Sequence, residues 1–277
     1  MRFLKQFLPV MAVYAAGGQA VMAVEDNVFL TLVLGVATAA LSLFVYSWTV
    51  RWSERRPVDE LAKEGAARRV GLGLALGAGW CAMVIVNIAF LGDYHVDGFG
   101  SATGPIGLFG FMAAAAVTEE LIFRGILFRF VEKWTGTWLA LALTSLVFGL
   151  MHLANKDATL WGAIAIAIEA GATLAAAYAA TRNLWIPIGL HFGWNFALAA
   201  VFGAEVSGNG DNEGLLKSAT SGPTLVSGGT FGPEASGYTV VFGVLLTVAF
   251  MWLARKRGNV IPRRRTARAA ATATLAQ

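Results

Sequence analysis

Residues 105–131 read PIGLFGFMAAAAVTEELIFRGILFRFV. The run is long enough to cross a membrane, which takes about 20 mostly apolar residues. It nevertheless carries Glu119, Glu120 and Arg124 in its middle. A charge at the centre of a span costs about 2.5–3.5 kcal/mol on insertion scales, so these three side chains must face protein or a water-filled cavity. The stretch therefore predicts a helix enclosed by other spans.

Seven more apolar stretches supply that enclosure, at 7–24, 28–50, 70–91, 137–154, 159–180, 184–203 and 238–254. The expected fold class is all-α: a polytopic transmembrane helical bundle of about eight helices, one integral membrane domain over 1–277, with its core at 105–203. Composition agrees. The 277 residues are 57% hydrophobic and 14% charged, with a mean hydropathy of +0.63, whereas soluble domains run at about 45–50% and 25%. A single cysteine, Cys81, excludes a disulfide scaffold and a thiolate metal centre. The net charge of +4 comes from basic residues beside apolar runs. That placement suits an anionic bilayer surface and gives no reason to expect nucleic acid.

Orientation follows from the same basic residues. Arg51, Arg55, Arg56, Lys63, Arg68 and Arg69 fall in one connection, and Arg255, Lys256, Arg257, Arg263, Arg264, Arg265 and Arg268 follow the last span. Both regions, and with them both termini, are expected in the cytoplasm. The stretches near Glu25, Asp93–Asp97, Asn155–Asp157 and 204–237 then fall outside. Residues 204–237, rich in Gly, Ser and acidic side chains, predict a mobile external loop that is either a solvated linker or a lid. The basic tail 261–277 is expected to be disordered. Arg2, Lys5 and the apolar run to Ala23 fit either a retained first helix or a cleaved signal peptide.

Polar residues inside the spans form three groups. On a helix, Glu120 and Arg124 are i,i+4 neighbours in the favourable order for an ion pair, while Glu119 points about 100° away and is left available to a water. Phe148 and His152 share a face of the next span, and His191 and Asn195 share a face of a later one. A lone intramembrane histidine is commonly an interhelical hydrogen-bond partner, but here two occur with an asparagine and an unpaired glutamate. Glu169, in the span between, either lines the same pocket or bonds a neighbouring helix. His95 reads as a solvated loop residue. Gly71, Gly73, Gly77 and Gly79 suit close helix packing, since no strand precedes them to make a phosphate loop.

Together the three groups resemble the signature of the CPBP intramembrane proteases, the family of the CAAX prenyl endopeptidases and of bacteriocin-processing membrane proteins. That signature is Glu-Glu-x-x-x-Arg, Phe-x-x-x-His and His-x-x-x-Asn on successive helices, and all three occur here in order. The resemblance covers 105–203 and looks bacterial, notably in Gly189-Leu190-His191-Phe192-Gly193-Trp194-Asn195. It implies a glutamate-dependent endopeptidase of the bacterial inner membrane, acting on a membrane protein or peptide within the lipid bilayer. Glu119 and His152 would activate water, and His191 and Asn195 would form the oxyanion site. Glu120, Arg124 and Phe148 would give structural support. No cofactor is favoured, because His-Glu-x-x-His is absent. Zinc, if present, would take Glu119, His152 and His191 as a His₂Glu set, as in the older description of the family as metalloproteases. Two other classes compete: a transporter or proton relay using the buried Glu and His residues, and a membrane scaffold without catalysis.

Overall fold

The structure is a computed structural model that describes residues 1–210 and 212–263. Eight main helices follow in chain order: α1 (Arg2–Met22), α2 (Val28–Glu54), α3 (Ala66–Phe90), α4 (Gly104–Thr135), α5 (Thr137–Ala154), α6 (Leu160–Thr181), α7 (Trp185–Val201) and α8 (Gly237–Lys256). Local chemistry sets several of their ends. The side chains of Asn27, Thr159 and Ser236 accept from the backbone N–H of Leu30, Gly162 and Thr239 and so cap α2, α6 and α8. Pro105 sits in the first turn of α4, and Gly136, at φ 80°, separates α4 from α5.

Six of these helices, α2, α3, α4, α5, α6 and α8, are long and apolar enough to cross a membrane. The chain is an all-α polytopic membrane protein. The expected count of eight spans is reached only if α1, which carries Arg2, Lys5, Gln6 and Gln19, and the shorter α7 also cross. Charge and burial agree on which helices are central. Over the 18-residue apolar window of each, 61% of α4 and of α6 is buried by protein, against 28% for α2 and 22% for α8.

Glycine sets the closest helix contacts. A Cβ on Gly73 or Gly77 of α3 would overlap the backbone of Ile186 and Leu190 on α7, and one on Gly189 or Gly193 of α7 would overlap Val70 and Leu74. Gly71 and Gly79 meet nothing within 4 Å, so only half of the glycine run predicted for packing serves it here. The α3–α7 contact fixes the helix that bears His191 and Asn195. Gly35 and Gly110 bring α2 against α4 in the same way.

The connections gather by end, alternating as a serpentine bundle requires. At one end Glu54 accepts from Arg129, Arg56 and Gln6, Tyr46 donates to Glu60 at 2.6 Å, and Leu184 N donates to Glu60 O. Arg182 pairs with Glu132, and the Ile261 and Thr137 backbones bond to each other. Segment 51–69, expected as a polar cytoplasmic connection, thus buries Val58, Glu60 and Leu61. At the other end β1 (Tyr94–Phe99) and β2 (Leu216–Thr220) form a two-stranded antiparallel ribbon with an irregularity between Val96 and Gly98.

Residues 204–237, for which composition predicts a solvated linker or a lid, fold onto that second end. Phe231, Glu234, Ala235 and Ser236 are buried, and Trp161 Nε1 donates to Ala235 O at 2.7 Å. Their burial follows from a small apolar insert, Phe231 against Gly162 of α6, that bulk composition conceals. The expected disordered tail begins at Ile261, and from Arg264 onward it lies outside the described residues.

Candidate active site

Each motif sits where the regular α-helix gives way to a π or 3₁₀ turn. Glu119 and Glu120 immediately precede a π-helical stretch, Leu121–Phe128, in α4. His152 begins the 3₁₀ turn that ends α5, Glu169 lies in the π turn Ala167–Gly171 of α6, and Asn195 comes just before the π turn Ala197–Val201 of α7. The wide π turns rotate side chains off the regular helical stripe, and such turns recur at functional sites.

The ion pair expected from spacing is present and fully buried: Arg124 Nη1 donates to Glu120 Oε1 at 2.7 Å, with side-chain exposures of 2% and 0%. Arg124 also donates to Gly171 O at 3.1 Å and lies over the Phe148 ring at 4.6 Å. It therefore ties α4 to α5 and α6. Glu120 Oε1 accepts a second hydrogen bond, from His191 Nδ1 at 2.9 Å. The carboxylate thus fixes the imidazole's tilt and, in its neutral form, its tautomer: the proton is on Nδ1 and the lone pair is on Nε2. Nε2 is turned to Glu119, 4.0 Å from its Oε2.

Glu119 is the more accessible carboxylate, with 16% of its side chain exposed. Its ring contact is with His191 and not with His152, the partner that the family resemblance implies; no ion pair joins Glu119 to His152 among the described residues. The reason lies in the end of α5. His152 Nδ1 bonds Phe148 O at 2.8 Å, so the ring curls back over Phe148, at 4.9 Å between centroids, while Phe148 also lies edge-on to His191 at 6.2 Å.

His152, His191 and Asn195 do converge on one cavity, with Glu169, Trp80, Trp194, Ser207 and Glu234 among its other walls. The space open to a water's centre is ≈ 20 Å³, enough for about one or two waters. Glu169 lines this cavity and has no hydrogen-bond partner among the described residues.

Glu234 is the site residue that sequence reasoning missed. It is 2% exposed, its Oε1 accepts from Trp194 Nε1 at 2.9 Å, and its Oε2 accepts from Ser207 N and from Ser207 Oγ. Burial pushes its carboxyl above the ordinary carboxylate range, against the opposing effect of those hydrogen bonds. No spacing pattern marks it. The only signal is an acid between Pro233 and the helix-capping Ser236.

For a metal, both histidines show a favourable feature, an Nδ1 engaged by carboxylate or carbonyl that leaves Nε2 to coordinate. The donor count fails: among the described residues no three His, Cys, Asp or Glu side chains are close enough to hold an ion. Glu119, His152 and His191 do not form a His₂Glu set in this geometry.

A family model described as Type II CAAX prenyl endopeptidase Rce1-like matches residues 100–197. The matched segment contains Glu119, Arg124, His152, His191 and Asn195. Over this segment the chain is similar to that family. A curated Bacillus subtilis (strain 168) protein named "Putative membrane peptidase YdiL" is 27% identical over 150 residues, 49% of this chain and 59% of that protein. The likeness thus spans a little over half of that relative's length. No solved structure matches the chain. Glu169 lies inside the matched segment, whereas Glu234 and its loop lie beyond it.

Proposed function

We propose that this chain is an intramembrane endopeptidase that hydrolyses a peptide bond of a membrane-associated protein or peptide. One observation carries the reading. Glu119 faces the His191 imidazole, which the buried Glu120–Arg124 pair orients and which lines a cavity walled also by His152 and Asn195. Glu119 takes a proton from a water shared with His191 Nε2, and the hydroxide attacks the scissile carbonyl. Asn195, one turn after His191 on α7, donates to the developing oxyanion, with His152 on the facing wall. The CPBP resemblance pairs Glu119 with His152 for the water; the 4.0 Å contact favours His191 as that partner. The reading also places the protein in a bacterial inner membrane with both termini in the cytoplasm, as the basic connections indicate.

The test is to incubate the purified protein in liposomes with a library of membrane peptides and to identify products by mass spectrometry. Cleavage at defined bonds is expected. Absence of any product, with ion or solute flux across the liposome instead, would favour the relay or transporter reading. The mechanism runs without a metal, so turnover should survive a chelator and elemental analysis should find no zinc.

A further inference from the structure

We propose that Glu169 is the proton donor to the amine that departs when the peptide bond is cut, acting through the cavity it shares with His152, His191 and Asn195. This rests on the endopeptidase reading. The starting point is a contrast among buried acids. Glu60 is met by Arg56 and Tyr46, Glu120 by Arg124 and His191, Glu132 by Arg182 and Thr137, and Glu234 by Trp194 and Ser207. Glu169 is 1% exposed, and neither of its oxygens has a hydrogen-bond partner among the described residues. A bare carboxylate so placed would be an uncompensated buried charge, so the group stands as a neutral acid.

Its placement is fixed. A Cβ on Gly243 of α8 would lie 2.7 Å from Glu169 Cα, so α8 presses directly on the backbone of the π turn. Trp80 Nε1 is likewise buried on the cavity without a partner among the described residues. Two orphaned groups around a space of water size make a seat for a bridging water.

The chemistry closes without any further reactant. Water's oxygen bonds to the carbonyl carbon as its proton goes to Glu119. When the tetrahedral intermediate collapses, the C–N bond breaks and the nitrogen takes the Glu169 proton, directly or through the cavity water. The proton on Glu119 then returns to Glu169. The products are one new carboxyl end and one new amine, and both glutamates are restored.

The test compares a peptide that the parent cleaves with its depsipeptide, in which oxygen replaces the scissile N–H and a weaker demand for protonation follows. Glu169→Gln should lower kcat on the peptide by about 10²-fold or more with KM nearly unchanged, and lower it less than about tenfold on the ester, since the better leaving group needs less help. The ester-to-peptide ratio is internal to one variant, so it is insensitive to how much protein folds. Glu169→Leu should match or exceed the parent Tm, because an unpaired carboxyl gives way to an apolar group, while losing peptide turnover. Equal losses on both substrates, retained peptide turnover, or a lowered Tm in Glu169→Leu would overturn the proposal. A parent inert on every peptide and ester would overturn the endopeptidase reading itself, and this proposal with it.

Discussion

Arg124 concentrates several contacts in one side chain: a carboxylate, two backbone carbonyls and an aromatic face. Arg124→Ala leaves the Glu120 charge unbalanced in a dry interior, at a cost of about 3–5 kcal/mol. We expect a clear drop in Tm and in the amount of protein recovered from membranes. Lysine should restore only part of it, because it lacks the planar fork that reaches α6 while holding Glu120. An unchanged Tm in Arg124→Ala would show that the pair does not hold the bundle together. His191 depends on the same carboxylate, so turnover should fall along with stability. The pair and the three motifs were legible from spacing alone, since i,i+4 neighbours must share a helix face. Which histidine faces Glu119 was not, because it turns on a 3₁₀ turn at His152 that no periodicity reports.

At the scale of elements, two loops prove to be parts of the packed structure. Glu60 sits in the short turn Asp59–Leu61. Burial works against its charge, but hydrogen bonds from Arg56 and Tyr46 prevail and hold its carboxyl below the usual range. Its stabilisation is therefore present above the unfolded carboxylate pKa of about 4.3 and is lost as pH falls through the lower folded value. Detergent-solubilised protein should lose Tm on acidification below about pH 4.3, and Glu60→Gln should flatten part of that fall. An identical acid profile in the variant would remove Glu60 from the account. Glu234 pins residues 229–236 to α7. Glu234→Ala leaves the Trp194 N–H and the Ser207 donors unpaired, at about 1–3 kcal/mol for each buried group. Limited proteolysis should then cut within 205–235 faster than in the parent; equal rates would mean that the loop is held by its apolar contacts. Composition misled for both segments for the same reason: charge and glycine content average over a stretch, whereas burial is decided by single residues such as Val58, Leu61 and Phe231.

For the whole molecule, hydropathy and basic-residue asymmetry were enough to read a helical bundle with alternating connections. The contacts between 93–99 and 216–220 at one end, and between Arg182 and Glu132 at the other, fit that order. An alkaline phosphatase fusion at Gly210 should be active and one after Gln277 inactive; the reverse pattern would invert the orientation. The number of crossings was less legible, because α1 is polar at its start and α7 is short, so span-length windows weigh them weakly. The central claim is that the buried polar cluster performs hydrolysis and that Glu119 is its base. It is tested most directly by single-turnover cleavage of one library-derived peptide by the parent and by Glu119→Gln, each in liposomes and matched for Tm. Glutamine keeps the volume but accepts no proton from water. The account predicts that Glu119→Gln folds and inserts as the parent does and yields no detectable product, whereas cleavage at the parent's rate would contradict it.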